Sequence, residues 1–110
     1  MKIVFVGAGN LATNVARALK NAGHEITQVY SRTQESADSL ASQVGADAVS
    51  DLDDVAREAD IYIVSVKDGA LSDVVARLCD GSRRGLFVHT AGSIPMSIFE
   101  GHADRYGVFY

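Results

Sequence analysis

Short apolar runs alternate along the chain with stretches in which apolar residues recur three and four positions apart, so β-type segments should alternate with amphipathic helices. Strands are expected at Lys2 to Val6, Glu25 to Tyr30, Ala46 to Val49, Ile61 to Val66, Leu86 to Thr90 and Tyr106 to Tyr110. A first helix is expected from Asn10 to Asn21, stopping at Ala22-Gly23 with Gly23 as a left-handed cap. A second carries Ala37, Leu40, Ala41 and Val44 on one face and ends before Gly45. A third, short one holds Leu52, Val55 and Ala56 behind a Ser50 or Asp51 cap. The fourth is entered from Lys67-Asp68 and aligns Leu71, Val74, Val75 and Leu78. Beyond Thr90 the pattern weakens into a loop, Ala91 to Pro95, and one or two helical turns from Ser97 to Gly101. Strands alternating with helices imply parallel βαβ units: an α/β fold with a doubly wound, mostly parallel sheet and helices on both faces.

Composition narrows the class. The 110 residues suit one domain; 47% are hydrophobic and 22% charged, a balance typical of a globular chain. No apolar run approaches the length of about 18 residues that a membrane span needs, and Met1-Lys2 leads straight into a strand, so no membrane partner and a cytoplasmic location are expected. A net charge of −4 argues against nucleic acid as a partner, and any anion site must be local. Cys79 is the only cysteine, and neither it nor His24 and His102 has the clustering of a metal site, so no metal is expected. Gly107 to Tyr110 reads as the inside of a strand, and from this the chain is expected to be the first part of a longer, two-domain protein.

Gly7-Ala8-Gly9-Asn10-Leu11-Ala12 lies between the first strand and the first helix, the setting in which a G-x-G-x-x-[GA] run holds a dinucleotide pyrophosphate. Gly7 can take the angles of a tight turn, Gly9 has no Cβ to obstruct a phosphate, and Ala12 lets the helix lie close to the strand. Gly7, Ala8, Gly9, Asn10 and Leu11 are therefore expected to hold the pyrophosphate through backbone groups at the helix N-terminus. An NAD site of this kind carries an Asp or Glu about 20 residues later, against the ribose 2′-hydroxyl. Here the second strand instead runs into Ser31-Arg32-Thr33, which offers hydroxyl donors and a guanidinium fork suited to a 2′-phosphate. NADP is accordingly expected in preference to NAD. The competing reading makes Arg32 a solvated surface residue and Ser31 or Thr33 a helix cap.

Ligands of open α/β sheets bind at the carboxyl ends of the strands. That places Ser65-Val66-Lys67-Asp68 beneath the nicotinamide ribose, with Val66 and Lys67 bordering it, and His89 to Ser93 near the nicotinamide. Hydride transfer needs a proton donor near the reacting carbon; His89 is the candidate of first choice and Lys67 a second. The alternative gives His89 a backbone-bonded place at a strand end.

Taken together, Val6 to Ala12, Tyr30 to Thr33, Ala59 to Lys67 and His89 to Ser93 resemble the amino-terminal domain of the pyrroline-5-carboxylate reductase and deazaflavin-dependent NADP reductase superfamily. In look the chain is nearest to two-domain Rossmann-like members whose carboxyl-terminal domain has no assigned function. The resemblance implies a Rossmann fold, a small-molecule substrate, and a helical second domain that forms a homodimer and closes the substrate pocket. In the pyrroline-5-carboxylate reductases a proline usually follows the lysine that Lys67 matches; Asp68 stands there instead, which leaves the substrate open. The reading is an NADP-dependent oxidoreductase domain that presents hydride to a small carbonyl or imine compound. The alternatives are a non-catalytic NADP-binding sensor and an S-adenosylmethionine protein.

Overall fold

The computed structural model describes residues 2–66, 68–78, 84–89 and 106–108. In chain order the elements are β1 (Lys2–Val6), α1 (Asn10–Asn21), β2 (Glu25–Tyr30), α2 (Gln34–Val44), β3 (Asp47–Val49), a 3₁₀ turn (Leu52–Asp54), β4 (Glu58–Val64), α3 (Asp68–Leu78), β5 (Arg84–His89) and β6 (Tyr106–Val108). All strand pairings are parallel, in the order β3-β2-β1-β4-β5-β6. This is the doubly wound order in which the chain reverses direction of travel beside β1.

The alternation of side chains along each strand divides the core into two layers. Val4, Val6, Tyr62, Val64 and Phe87 pack on one face with Leu52, Val55, Val75 and Leu78. Ile3, Phe5, Ile26, Val29, Ile63 and Val88 pack on the other with Ala12 and Ala16 of α1 and Leu40, Ala41 and Val44 of α2. β1, buried on both faces, has no polar residue from Ile3 to Val6, as a central parallel strand requires. Each fully buried side chain of this size contributes roughly 1.5–3 kcal/mol. Ala12 and Ala16 are small enough to bring α1 close to the sheet.

The helix ends follow local chemistry. α1 closes when Gly23, at φ 94°, lets its N–H reach the Lys20 carbonyl while the His24 N–H reaches Leu19. Gly45, at φ 71°, ends α2. Lys20 lies with its ammonium against Gly45, where a cation meets the partial negative charge of the last carbonyls of α2.

Three expectations change. The third helix is only the 3₁₀ turn Leu52–Asp54, capped by the Asp51 carboxylate, which accepts from the Asp53 N–H at 3.0 Å. Val55 is already extended, because the Gln28 side chain takes over the backbone groups that a longer helix would have used. Its Nε2 donates to the Asp54 carbonyl (3.0 Å) and its Oε1 accepts from the Ala56 N–H (2.7 Å), while the Tyr62 hydroxyl donates to the Ala56 carbonyl (2.6 Å). β4 spans Glu58–Val64 instead of 61–66, since polar Glu58 and Asp60 hide its start, and the chain turns away after the Ser65 N–H donates to Val6. β3 begins one residue later and β5 two residues earlier than expected, and the expected ends of β5 at Thr90 and of β6 at Phe109-Tyr110 lie outside the described residues. The expected loop at 91–95, the turns at 97–101 and Cys79 lie outside the described residues. No helix among the described residues is long and apolar enough to cross a membrane.

Gly85 has a packing reason for being glycine. At φ 149° its Cα faces the stacked rings of Tyr62 and Phe87, whose centroids are 4.7 Å apart and 8° from parallel. A Cβ there would overlap the Ala59 carbonyl oxygen and come within 2.9 Å of the Tyr62 ring. Gly85→Ala is therefore expected to lower stability by about 2–3 kcal/mol, read as a lower urea midpoint with an unchanged slope.

Candidate functional site

The carboxyl ends of β1, β2 and β4 enclose a groove of about 390 Å3 at the point where the strand order reverses. Gly7, Ala8 and Gly9 form its floor, Tyr30, Ser31, Arg32, Thr33 and Ser36 one wall, and Ser65, Val66 and Val74 the other. Crevices of α/β sheets accept ligands at this place.

The two glycines of the floor differ in kind. Gly7 is buried, sits at φ 120° and donates its N–H to the Tyr30 carbonyl at 2.8 Å. A Cβ on it would overlap the Ser65 carbonyl oxygen, so glycine is needed here to let β1 and β4 meet. Gly9 has ordinary extended angles, φ −77° and ψ −173°, and a Cβ on it would meet nothing within 4 Å. Neither conformation nor protein packing asks for glycine at that position; what its missing side chain leaves is room above the N-terminus of α1. The first backbone bond of α1 runs from the Thr13 N–H to the Gly9 carbonyl (2.9 Å), so the N–H groups of Asn10, Leu11 and Ala12 precede the helical ladder. The first turn of α1 carries no acidic residue. An anion therefore meets oriented donors and no opposing carboxylate there.

On the β2 side, Ser31 is half-buried and Arg32 and Thr33 are exposed. Thr33 occupies the N-cap position of α2, yet its side chain makes no cap bond; it donates instead to the Ser36 hydroxyl at 2.9 Å. Ser31 is anchored by its own N–H, which donates to Val49 at 3.1 Å.

The structure thus brings Gly7, Ala8, Gly9, Ser31, Arg32, Thr33 and Val66 to one groove, with the backbone of Asn10 and Leu11 opening α1 above it. Lys67 lies outside the described residues. His89 stands at the end of β5, paired with Val64 and Val108; it is fully buried and is not among the residues that line this groove. Ser65 lines it with Val66, and Tyr30, Ser36 and Val74 line it without having been singled out as site residues from the sequence. Ser36 lies in the first turn of α2 and Val74 in the middle of α3, positions readable only once the helix phase is known.

With this geometry in view, the comparison with known proteins is direct. The family model described as NADP oxidoreductase, coenzyme F420-dependent, matches residues 2–91. The chain belongs to this family. Family and fold together give it the dinucleotide-binding Rossmann fold of an oxidoreductase family. It is 36% identical over 86 residues to the oxidoreductase YfjR of Bacillus subtilis, covering 78% of this chain and 29% of that protein. It superposes on the crystal structure of BF3122 from Bacteroides fragilis, provisionally described as an NADP oxidoreductase, with a TM-score of 0.95 and 53% identity over 99% of this chain and 43% of that one. A pyrroline-5-carboxylate reductase from Coxiella burnetii shares the fold at a TM-score of 0.79 and 24% identity, over 93% of this chain and 39% of that one. The chain spans less than half the length of each of these relatives.

The contrast between the glycines is testable without any ligand. Gly7→Ala should cost more than about 2 kcal/mol, since both φ and the Ser65 carbonyl oppose it, whereas Gly9→Ala should change stability by less than about 0.5 kcal/mol. Thermal melts of the two variants beside the parent protein check this.

Proposed function

We propose that the chain is the cofactor-holding part of a reductase that binds NADP in preference to NAD and presents it to a small carbonyl or imine substrate. One observation carries the reading. A guanidinium and three hydroxyl-bearing side chains, at Ser31, Arg32, Thr33 and Ser36, share a groove with the empty space over Gly9, and the NAD-type carboxylate is missing from the end of β2.

The residues present fit the dinucleotide. In this reading Gly7, Ala8 and Gly9 keep the floor free of side chains, and the backbone N–H groups of Asn10 and Leu11 receive the pyrophosphate. Ser31, Arg32 and Thr33 receive the 2′-phosphate, where hydrogen bonds to a charged group are stronger than those between neutral groups. Val66 and Lys67 border the nicotinamide ribose. Reduced NADP, when bound, supplies the hydride. His89 is given no proton-transfer role, because burial removes it from the groove. The proton donor, the substrate contacts and a homodimeric, helical second domain are assigned to the part of the protein by which its relatives exceed this chain.

Arg32→Asp replaces the guanidinium with a carboxylate that repels the 2′-phosphate and accepts from a 2′-hydroxyl. Calorimetric titration should show NADPH affinity falling at least about tenfold and NADH affinity changing by less than about threefold. Equal losses for both cofactors would remove the assignment. In the same assay Gly9→Val should weaken both cofactors, since its side chain would fill the space above α1.

A further inference from the structure

Tyr30 closes β2 and is more than nine-tenths buried, at 7% exposure, yet it lines the groove. Its carbonyl is used, accepting from the Gly7 N–H. Its hydroxyl is not: no hydrogen bond within the described structure reaches it, and the oxygen is not sealed from solvent. A buried tyrosine ordinarily finds a partner for its hydroxyl. Tyr30 lines the groove, so a ligand bound there is the candidate partner.

The side of the groove says what the partner is. Tyr30 packs with Val4, Val6 and Val64 on the α3 face of the sheet, and half-buried Val66 and Val74 lie against the same cluster. The charged and hydroxyl groups of Arg32 and Thr33 follow on the lip towards α2. A phosphate belongs to that polar lip and to the glycine floor. A flat, weakly polar ring belongs against Tyr30 and Val74, where a single hydroxyl can both donate to a ring nitrogen and accept from an exocyclic amine. Resting on the dinucleotide reading above, we propose that Tyr30 is a base-recognition residue whose hydroxyl hydrogen-bonds the adenine of the cofactor. This function is independent of the 2′-phosphate, so Tyr30 governs affinity for NADP and NAD alike, and Arg32 governs the choice between them.

Tyr30→Phe keeps the ring in the core and deletes only the hydroxyl, and a thermal melt checks that the fold is retained. Titration of the full-length protein and this variant with NADP, NAD and 5′-AMP separates the possibilities. The expected result is a loss of about three- to tenfold for all three ligands, with the NADP-to-NAD ratio unchanged. Unchanged affinities would overturn the proposal, and so would a loss confined to NADP, which would place the hydroxyl with the phosphate. If the parent protein binds AMP but neither dinucleotide, and the variant loses AMP, the base site stands while the dinucleotide reading falls. If the parent binds none of the three, both fall.

Discussion

The closest approach in the molecule that shapes its function is the contact of the Gly7 backbone with the Ser65 carbonyl, where β1 and β4 end side by side. Two parallel strands whose continuations leave towards opposite faces of a sheet must part at their ends, and the gap between them becomes the crevice. How low the crevice starts depends on how near the two backbones can come before they part. With no Cβ at position 7, the Gly7 N–H reaches Tyr30 on one side while the Ser65 N–H reaches Val6 on the other. The three strand ends are thereby tied into one rigid rim. The groove is a product of strand geometry, and its side chains decorate a shape that the backbone has already set.

That shape is decorated unequally. The wall continuous with the α3 layer is apolar, through Val66 and Val74, and the wall leading into α2 is polar, through Ser31, Arg32, Thr33 and Ser36. The asymmetry follows from the two-layer core. Strand residues on the α3 face are large and aliphatic or aromatic up to the last turn of the strands, whereas β2 passes into α2 through exposed positions that packing does not dictate. An amphipathic ligand, flat and weakly polar at one end and multiply charged at the other, matches such a division better than a uniformly charged one does.

Much of this was legible beforehand because the relevant forces are local. β1, α1 and β2 have the expected limits, since the apolar run, the glycine turn and the Gly23 stop each act within a few residues. The glycine motif and Ser31-Arg32-Thr33 were likewise found at the groove. What escaped depends on contacts between segments distant in sequence. Leu52, Val55 and Ala56 have helical spacing, but Gln28, from a strand half a domain earlier, pulls the backbone of Asp54 and Ala56 into an extended path. The early start of β4 is concealed by charged Glu58 and Asp60, of which Glu58 pairs with Arg84 of β5. Tyr30 looked like an ordinary strand residue, and nothing in its neighbours' identities disclosed that its hydroxyl would meet no partner among the described residues. The burial of His89 was equally hidden, since it depends on the packing of β5 against β4.

The strand order also governs how the chain comes together. β1 is made first, yet it lies between β2 and β4, with Ile3 opposite both Ile26 and Ile61. While synthesis proceeds, Ile3 to Val6 can cover one edge with β2 and one face with α1 and α2, but the other edge and the other face stay open until β4 and α3 have emerged. A nascent chain halted before Val64 therefore holds an apolar strand with an unpaired edge, the kind of species that associates with its own copies. The central strand that leads into the floor of the groove is, until then, the chain's most vulnerable segment.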